Sequence, residues 1–117
     1  MKMKILVMRP APEGKKLANL LNYMGIVSWH FSLFNFLPSE SAISLSKKIY
    51  ELYTADIILI FSKKSVYYTN LYLNKNNLHW PIDPDYYAIG QGTAVFLKKY
   101  VKKKFYFQKM QKIAKLY

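Results

Sequence analysis

The chain has 117 residues, 52% of them hydrophobic and 21% charged, with a mean hydropathy of −0.06. That is enough for one buried core, and it excludes disorder over the whole length. The formal charge of +12 is unevenly placed: residues 1–97 carry +4, while residues 98–117, with eight lysines and no acid, carry +8. The basic balance therefore belongs mainly to the tail of a Lys-, Asn-, Tyr- and Phe-rich chain, and is weak evidence for any partner. The absence of cysteine removes disulfides, Cys-ligated zinc and thiol catalysis. His30 and His79 are the only histidines and the six acids form no cluster with ligand spacing, so no metal is expected. No signal peptide is visible, because Lys2 and Lys4 are followed only by Ile5–Met8 before Arg9 and Pro10. The apolar run Ile57–Phe61 is too short to span a bilayer. A soluble cytoplasmic protein with no membrane partner is the expectation.

In chain order, Ile5–Met8 is a continuous apolar run bounded by Arg9-Pro10-Ala11-Pro12, which fits a strand buried on both faces. Leu17, Leu20, Leu21 and Met24 recur at helical spacing and Gly25 falls at a C-terminal cap, predicting a helix from about Glu13 to Met24. Ile26–Leu33 returns to strand composition, which makes a right-handed β-α-β unit. Phe34–Pro38 reads as an extended connector. Ser39 then caps a helix with Ala42, Leu45, Ile49 and Leu52 on one face. Asp56–Phe61 is the clearest strand, and Ser62-Lys63-Lys64-Ser65 starts a helix through about Leu73. Asn74–Pro84 reads as loop. Tyr86–Ile89 is a strand, and Gly90–Thr93 opens a helix running to about Val101. Phe105–Phe107 reads as a last short strand before a partial helix carrying Met110, Ile113, Ala114 and Tyr117. Strands alternate with helices throughout, so the fold class is α/β with a parallel sheet.

Three turns share one design, a buried strand followed by a helix N-terminus: Arg9–Gly14, Ser62–Ser65 and Gly90–Thr93. In parallel sheets such turns gather at the carboxyl ends of strands, where ligands bind. Each helix start presents unpaired N–H groups and the positive end of a dipole. With Arg9, Lys63, Lys64 and the hydroxyls of Ser62, Ser65 and Thr93 at those turns, and Glu13 the only acid, the turns define a cleft for a carboxylated or phosphorylated small molecule. Taken singly, each turn is equally well read as a plain helix cap, and Lys63-Lys64 as a solvated pair. Gly90-x-Gly92 falls short of a dinucleotide fingerprint, since Val95 holds the third glycine position. His30 reads as a hydrogen-bonded structural residue, and Trp80 as packing.

Taken together, these residues resemble the uroporphyrinogen-III synthases, particularly the enterobacterial kind. Lys4–Gly14 (KILVMRPAPEG) is similar to their opening, and Val27–Phe31 (VSWHF) to their second strand. Leu59–Val66 (LIFSKKSV) looks like their strand-to-helix turn, often Thr-Ser where this chain has Phe61-Ser62. Most specific is Trp80–Gly90 (WPIDPDYYAIG), with Thr93-Ala94 and Leu97 following. Lys104–Gln108 is similar to the next strand, with Phe107 where proline is usual.

The resemblance implies an enzyme, a lyase of tetrapyrrole and haem biosynthesis. It closes hydroxymethylbilane, with inversion of the last pyrrole ring, to uroporphyrinogen III and water. It implies no cofactor and no metal, and a substrate whose eight carboxylates suit the cationic turns. Arg9, Ser62 and Thr93 match family positions at the three turns. With Lys63, Ser65, Gly90 and Gly92 they form the expected substrate-binding set; no catalytic residue is assigned. The family's architecture has two α/β domains across a cleft. It implies that residues 1–37 are a β-α-β portion of the first domain plus connector, and that residues 38–117 are an incomplete second domain. Family members are considerably longer, which leaves both an active and an inactive shortened form open, as well as a complementary C-terminal chain. Binding to nucleic acid is not expected. The alternative readings are a small basic protein that uses its tail on nucleic acid or acidic lipid, and a non-catalytic remnant.

Overall fold

A computed structural model describes residues 3–31, 42–101 and 106–108. The elements are β1 (Lys4–Met8), α1 (Glu13–Tyr23), β2 (Val27–Phe31), α2 (Ala42–Thr54), β3 (Ile57–Ile60), α3 (Lys63–Lys75), β4 (Asp85–Ile89), α4 (Gln91–Lys98) and β5 (Tyr106–Gln108). The strands form one five-stranded sheet in the order β2-β1-β3-β4-β5, parallel at every pairing. The α/β class and the strict alternation of strand and helix are as the apolar periodicities predict.

β1 lies inside the sheet and is buried along most of its length because both of its faces are covered. Leu6 and Met8 face a core shared with Phe31, Ile58, Ile60, Tyr86 and Ala88 of the sheet and with Leu52, Val66, Leu73 and Leu97 of α2, α3 and α4. Ile5 and Val7 face the other way, against Leu17 and Ala18 of α1, with Leu21, Ile57, Leu59 and Phe61 packed around them. Fully burying each such side chain contributes about 1.5–3 kcal/mol before the conformational cost, so the sheet is the stability centre.

One helix face and two helix ends differ from the sequence reading. The buried stripe of α1 is Gly14, Leu17 and Ala18 with partly buried Leu21, whereas Leu20 (44% exposed) and Met24 (64%) face outward. The helix is rotated to put the small Gly14 and Ala18 against the sheet, a preference that hydrophobicity alone does not reveal. The turn after α1 is closed by Gly25 N–H to Asn22 O (3.0 Å) and Ile26 N–H to Leu21 O (2.9 Å). Gly25 takes the left-handed conformation (φ 87°) that this pair of bonds requires. α3 runs on to Lys75 and ends the same way with Asn77 in the left-handed position, so the loop begins later than the run of asparagines implies. α4 stops at Lys98, and Tyr100 and Val101 N–H both bond back to Leu97 O.

The Phe34–Pro38 connector, the Ser39 cap, Phe105 and the helix expected around Met110–Tyr117 lie outside the described residues. The boundary expected at 37/38 also falls there. On either side of it, β1 and β3 pair directly, Ile5 opposite Ile57 through Met8 opposite Ile60, so strands from both segments share one sheet.

Candidate functional site

The chain leaves β1 toward β2 on one side and leaves β3 toward β4 and β5 on the other. The order therefore reverses between β1 and β3, and in open α/β sheets it is at the carboxyl ends of the strands beside such a reversal that a ligand crevice lies. Arg9 follows β1 into this crevice and Phe61-Ser62 follows β3. Phe61 N–H donates to Met8 O at 3.0 Å, extending the ladder one residue past the strand and fixing Phe61 beside the end of β1. The Arg9 guanidinium lies over the Phe61 ring, 4.9 Å from Cζ to the centroid, a geometry in which a weakly hydrated planar cation is attracted to the ring face.

One strand further on, the starts of α3 and α4 meet. Ser62, with extended backbone, caps α3 by accepting from Ser65 N–H at 3.4 Å. Gly90 precedes α4 with φ 95°, a backbone conformation open to glycine and strained for other residues. The side chain of Lys63 crosses from α3 to α4: a Cβ on Gly92 would lie 2.6 Å from Lys63 Cε and 3.1 Å from Nζ. Only a residue without a side chain lets the ammonium settle there. The contacts thus run Arg9–Phe61, Ser62 and Lys63–Gly92 across three adjacent strand ends, which are spaced about 4.8 Å apart.

Electrostatically the α3–α4 part of this edge is one-sided, whereas Glu13 stands in the first turn of α1 beside Arg9. Neither α3 nor α4 has an acid in its first turn, and Lys63 and Lys64 are the first two residues of α3. Among the described residues, no acceptor meets the backbone N–H groups of Lys63, Lys64, Gln91, Gly92 and Thr93. Cations at the positive ends of two helices are locally unfavourable, and an anion resolves the conflict.

Not every expected residue faces the crevice. Ser65 is 1% exposed and Thr93 6%, so both side chains turn inward. Ser65 Oγ and Thr69 Oγ1, one turn apart on α3, are buried without a hydrogen-bond partner among the described residues. Phe61, the platform under Arg9, was not singled out from the sequence; its signal was its position at the end of the clearest strand. A shallow pocket of about 240 Å³ lies beside Arg9, between it and Glu13, Lys16, Leu17 and Leu20 of α1. A larger groove of about 630 Å³, lined by Asn70, Trp80, Pro81 and Tyr100 among others, opens at the opposite, amino-terminal edge of the sheet. Trp80 there is largely a packing residue, 9% exposed, donating to Asn70 Oδ1 at 3.0 Å and set edge-on to Tyr86. Among the described residues no helix is long and apolar enough to cross a membrane, and no group of three metal-ligating side chains occurs.

The described residues form an open parallel α/β sheet with cations, glycines and unpaired helix N-termini gathered at its carboxyl edge, an arrangement that favours anions. The family follows from comparison. The family model described as uroporphyrinogen-III synthase HemD matches residues 15–116, and the chain belongs to that family. It is 37% identical over 95 residues to the uroporphyrinogen-III synthase of Escherichia coli (strain K12), covering 81% of this chain and 39% of that protein. To the uroporphyrinogen-III synthase of Salmonella typhimurium it is 33% identical over 95 residues, with the same coverage of each chain. To that of Proteus mirabilis it is 36% identical over 92 residues, covering 79% of this chain and 46% of the relative. The chain thus spans less than half the length of these curated relatives.

Proposed function

We propose that this chain acts as a uroporphyrinogen-III synthase in tetrapyrrole biosynthesis. It takes hydroxymethylbilane at the carboxyl edge of its sheet and closes it, with inversion of the last ring, to uroporphyrinogen III and water. The observation that carries the reading is the meeting of Lys63 with Gly92 at the joined N-termini of α3 and α4, one strand from Arg9. Family membership supplies the substrate class, and the cationic edge suits its carboxylates.

In this reading Arg9 and Lys63 are the charged anchors. The first-turn N–H groups of Gly92 and Thr93 donate to further carboxylate oxygens, and Gly90 sets the turn that aims them. Ser62 holds the start of α3, and Ser65 supports it from behind. Holding a flexible linear tetrapyrrole by its side-chain carboxylates brings its two ends together. Proximity and orientation of this kind can lower a barrier by roughly 7–11 kcal/mol.

The test is the product isomer formed when the purified chain meets freshly made hydroxymethylbilane. Spontaneous closure gives uroporphyrinogen I. Isomer III above the no-protein control is the expected result. Isomer I alone, from a chain shown to be folded, contradicts the proposed activity.

A further inference from the structure

We infer that His30 is a positioning residue for Arg9: its ring holds the Arg9 carbonyl, and thereby keeps the guanidinium over Phe61 in the β1–β3 crevice. The role for the crevice rests on the proposed function; the geometry does not.

His30 stands on β2 opposite Val7 of β1, half-buried on the face that α1 covers. Its Nε2 lies 2.7 Å from the carbonyl oxygen of Arg9. A carbonyl can only accept, so His30 donates, which fixes the neutral ring as the Nε2–H tautomer. The same ring packs against the first turn of α1. A Cβ on Gly14 would lie 2.7 Å from His30 Cδ2, 2.8 Å from Nε2 and 2.2 Å from Arg9 O. Gly14 N–H donates to Pro10 O at 3.0 Å, closing the turn. The Arg9 peptide is therefore held between the imidazole, the bare Gly14 backbone and the end of β1.

The other end of α1 is tied to the same strand. Asn22 donates from Nδ2 to Ser28 O and accepts at Oδ1 from Ser28 N–H, both at 2.9 Å. β2 thus fixes α1 at both ends, and His30 is the tie at the end where Arg9 enters the crevice. With the carbonyl fixed, rotation of the Arg9 backbone is restricted and its side chain leaves in one direction, over Phe61. Without that bond the guanidinium samples solvent, and a ligand must order it on arrival.

The experiment compares the wild-type chain with His30→Gln, which keeps an N–H donor at similar reach, and His30→Leu, which does not. NMR reads the His30 tautomer in the wild type at pH 8 and the ring-current shift of the Arg9 side-chain protons in all three chains. The expected result is the Nε2–H tautomer, with an upfield Arg9 shift retained in His30→Gln and lost in His30→Leu. An Nδ1–H tautomer, or an Arg9 shift unchanged in a folded His30→Leu chain, overturns the inference. The tautomer measurement needs no variant, so it stands if His30→Leu fails to fold. Titration with uroporphyrin, an octacarboxylate probe, adds the functional arm. Affinity should fall roughly tenfold in His30→Leu and recover within about twofold in His30→Gln. If the wild type binds no uroporphyrin, the reading of the edge as a substrate site fails, and the two NMR readouts still decide the role of His30.

Discussion

The Lys63 side chain reaches from the start of α3 to the start of α4 and rests against Gly92, close enough that a Cβ there would lie 2.6 Å from Lys63 Cε. The ammonium is thereby placed at the positive ends of two helices that carry no first-turn acid. Local stability disfavours that position, and the anionic substrate proposed above would offset the cost.

Replacing Lys63 should move stability and binding in opposite directions. Lys63→Gln removes a cation from the first turn of α3, so the chain should become more stable by about 0.3–1 kcal/mol at low ionic strength. Binding of an octacarboxylate should weaken roughly tenfold, the scale of one lost charge-assisted hydrogen bond. Urea denaturation and fluorescence titration on the same samples measure the two effects. A loss of stability without change in binding would mean that Lys63 is only a packing residue.

The two close-packed glycines should respond differently to alanine. At Gly14 the new methyl meets the Arg9 backbone oxygen at 2.2 Å, and a backbone atom in a closed turn cannot step aside. Gly14→Ala should cost about 1–3 kcal/mol, or more if the turn opens. At Gly92 the methyl meets the end of a flexible lysine, which swings away. Gly92→Ala should therefore leave the urea midpoint nearly unchanged while weakening anion binding, because the ammonium leaves the α4 N-terminus.

The alkaline limit of stability should depend on Tyr86. Its ring is fully buried and its hydroxyl donates to Pro81 O. Burial raises the phenol above its ordinary 10.0, with Tyr53 adding to the effect. The unfolded chain therefore releases this proton first. The stability tied to the neutral phenol is complete below pH 10 and falls as the pH rises above it, by up to about 1.4 kcal/mol per pH unit. Tyr86→Phe should be less stable than wild type by about 1 kcal/mol at pH 8, through the lost hydrogen bond. That gap should close between pH 10 and 11. Parallel urea curves at the two pH values would contradict the assignment.

Element order was legible in the sequence because each buried strand is a short apolar run and each helix starts beside a turn residue. Lys4–Met8 and Ile57–Ile60 could hardly be anything else, given both faces of the sheet. The strand order was not legible, since no local signal says that β3 pairs with β1 rather than β2. The same holds for α1, where Leu20 and Met24 match the helical period as well as Leu17 and Leu21 do. Packing distance chose the face with Gly14 and Ala18. At the candidate site, Arg9, Ser62, Lys63 and Gly92 were found as turn residues. Their contacts depend on which strands are neighbours, so Phe61 under Arg9 and Lys63 against Gly92 could emerge only from the fold.

The most direct test of the carboxyl edge as the substrate surface is an amide chemical-shift map of the labelled chain titrated with uroporphyrin. The account predicts the largest perturbations at Arg9, Ser62, Lys63, Gly90, Gly92 and Thr93, saturating together with one affinity. Perturbations centred instead on Trp80, Pro81 and Tyr100, at the opposite edge, would contradict it.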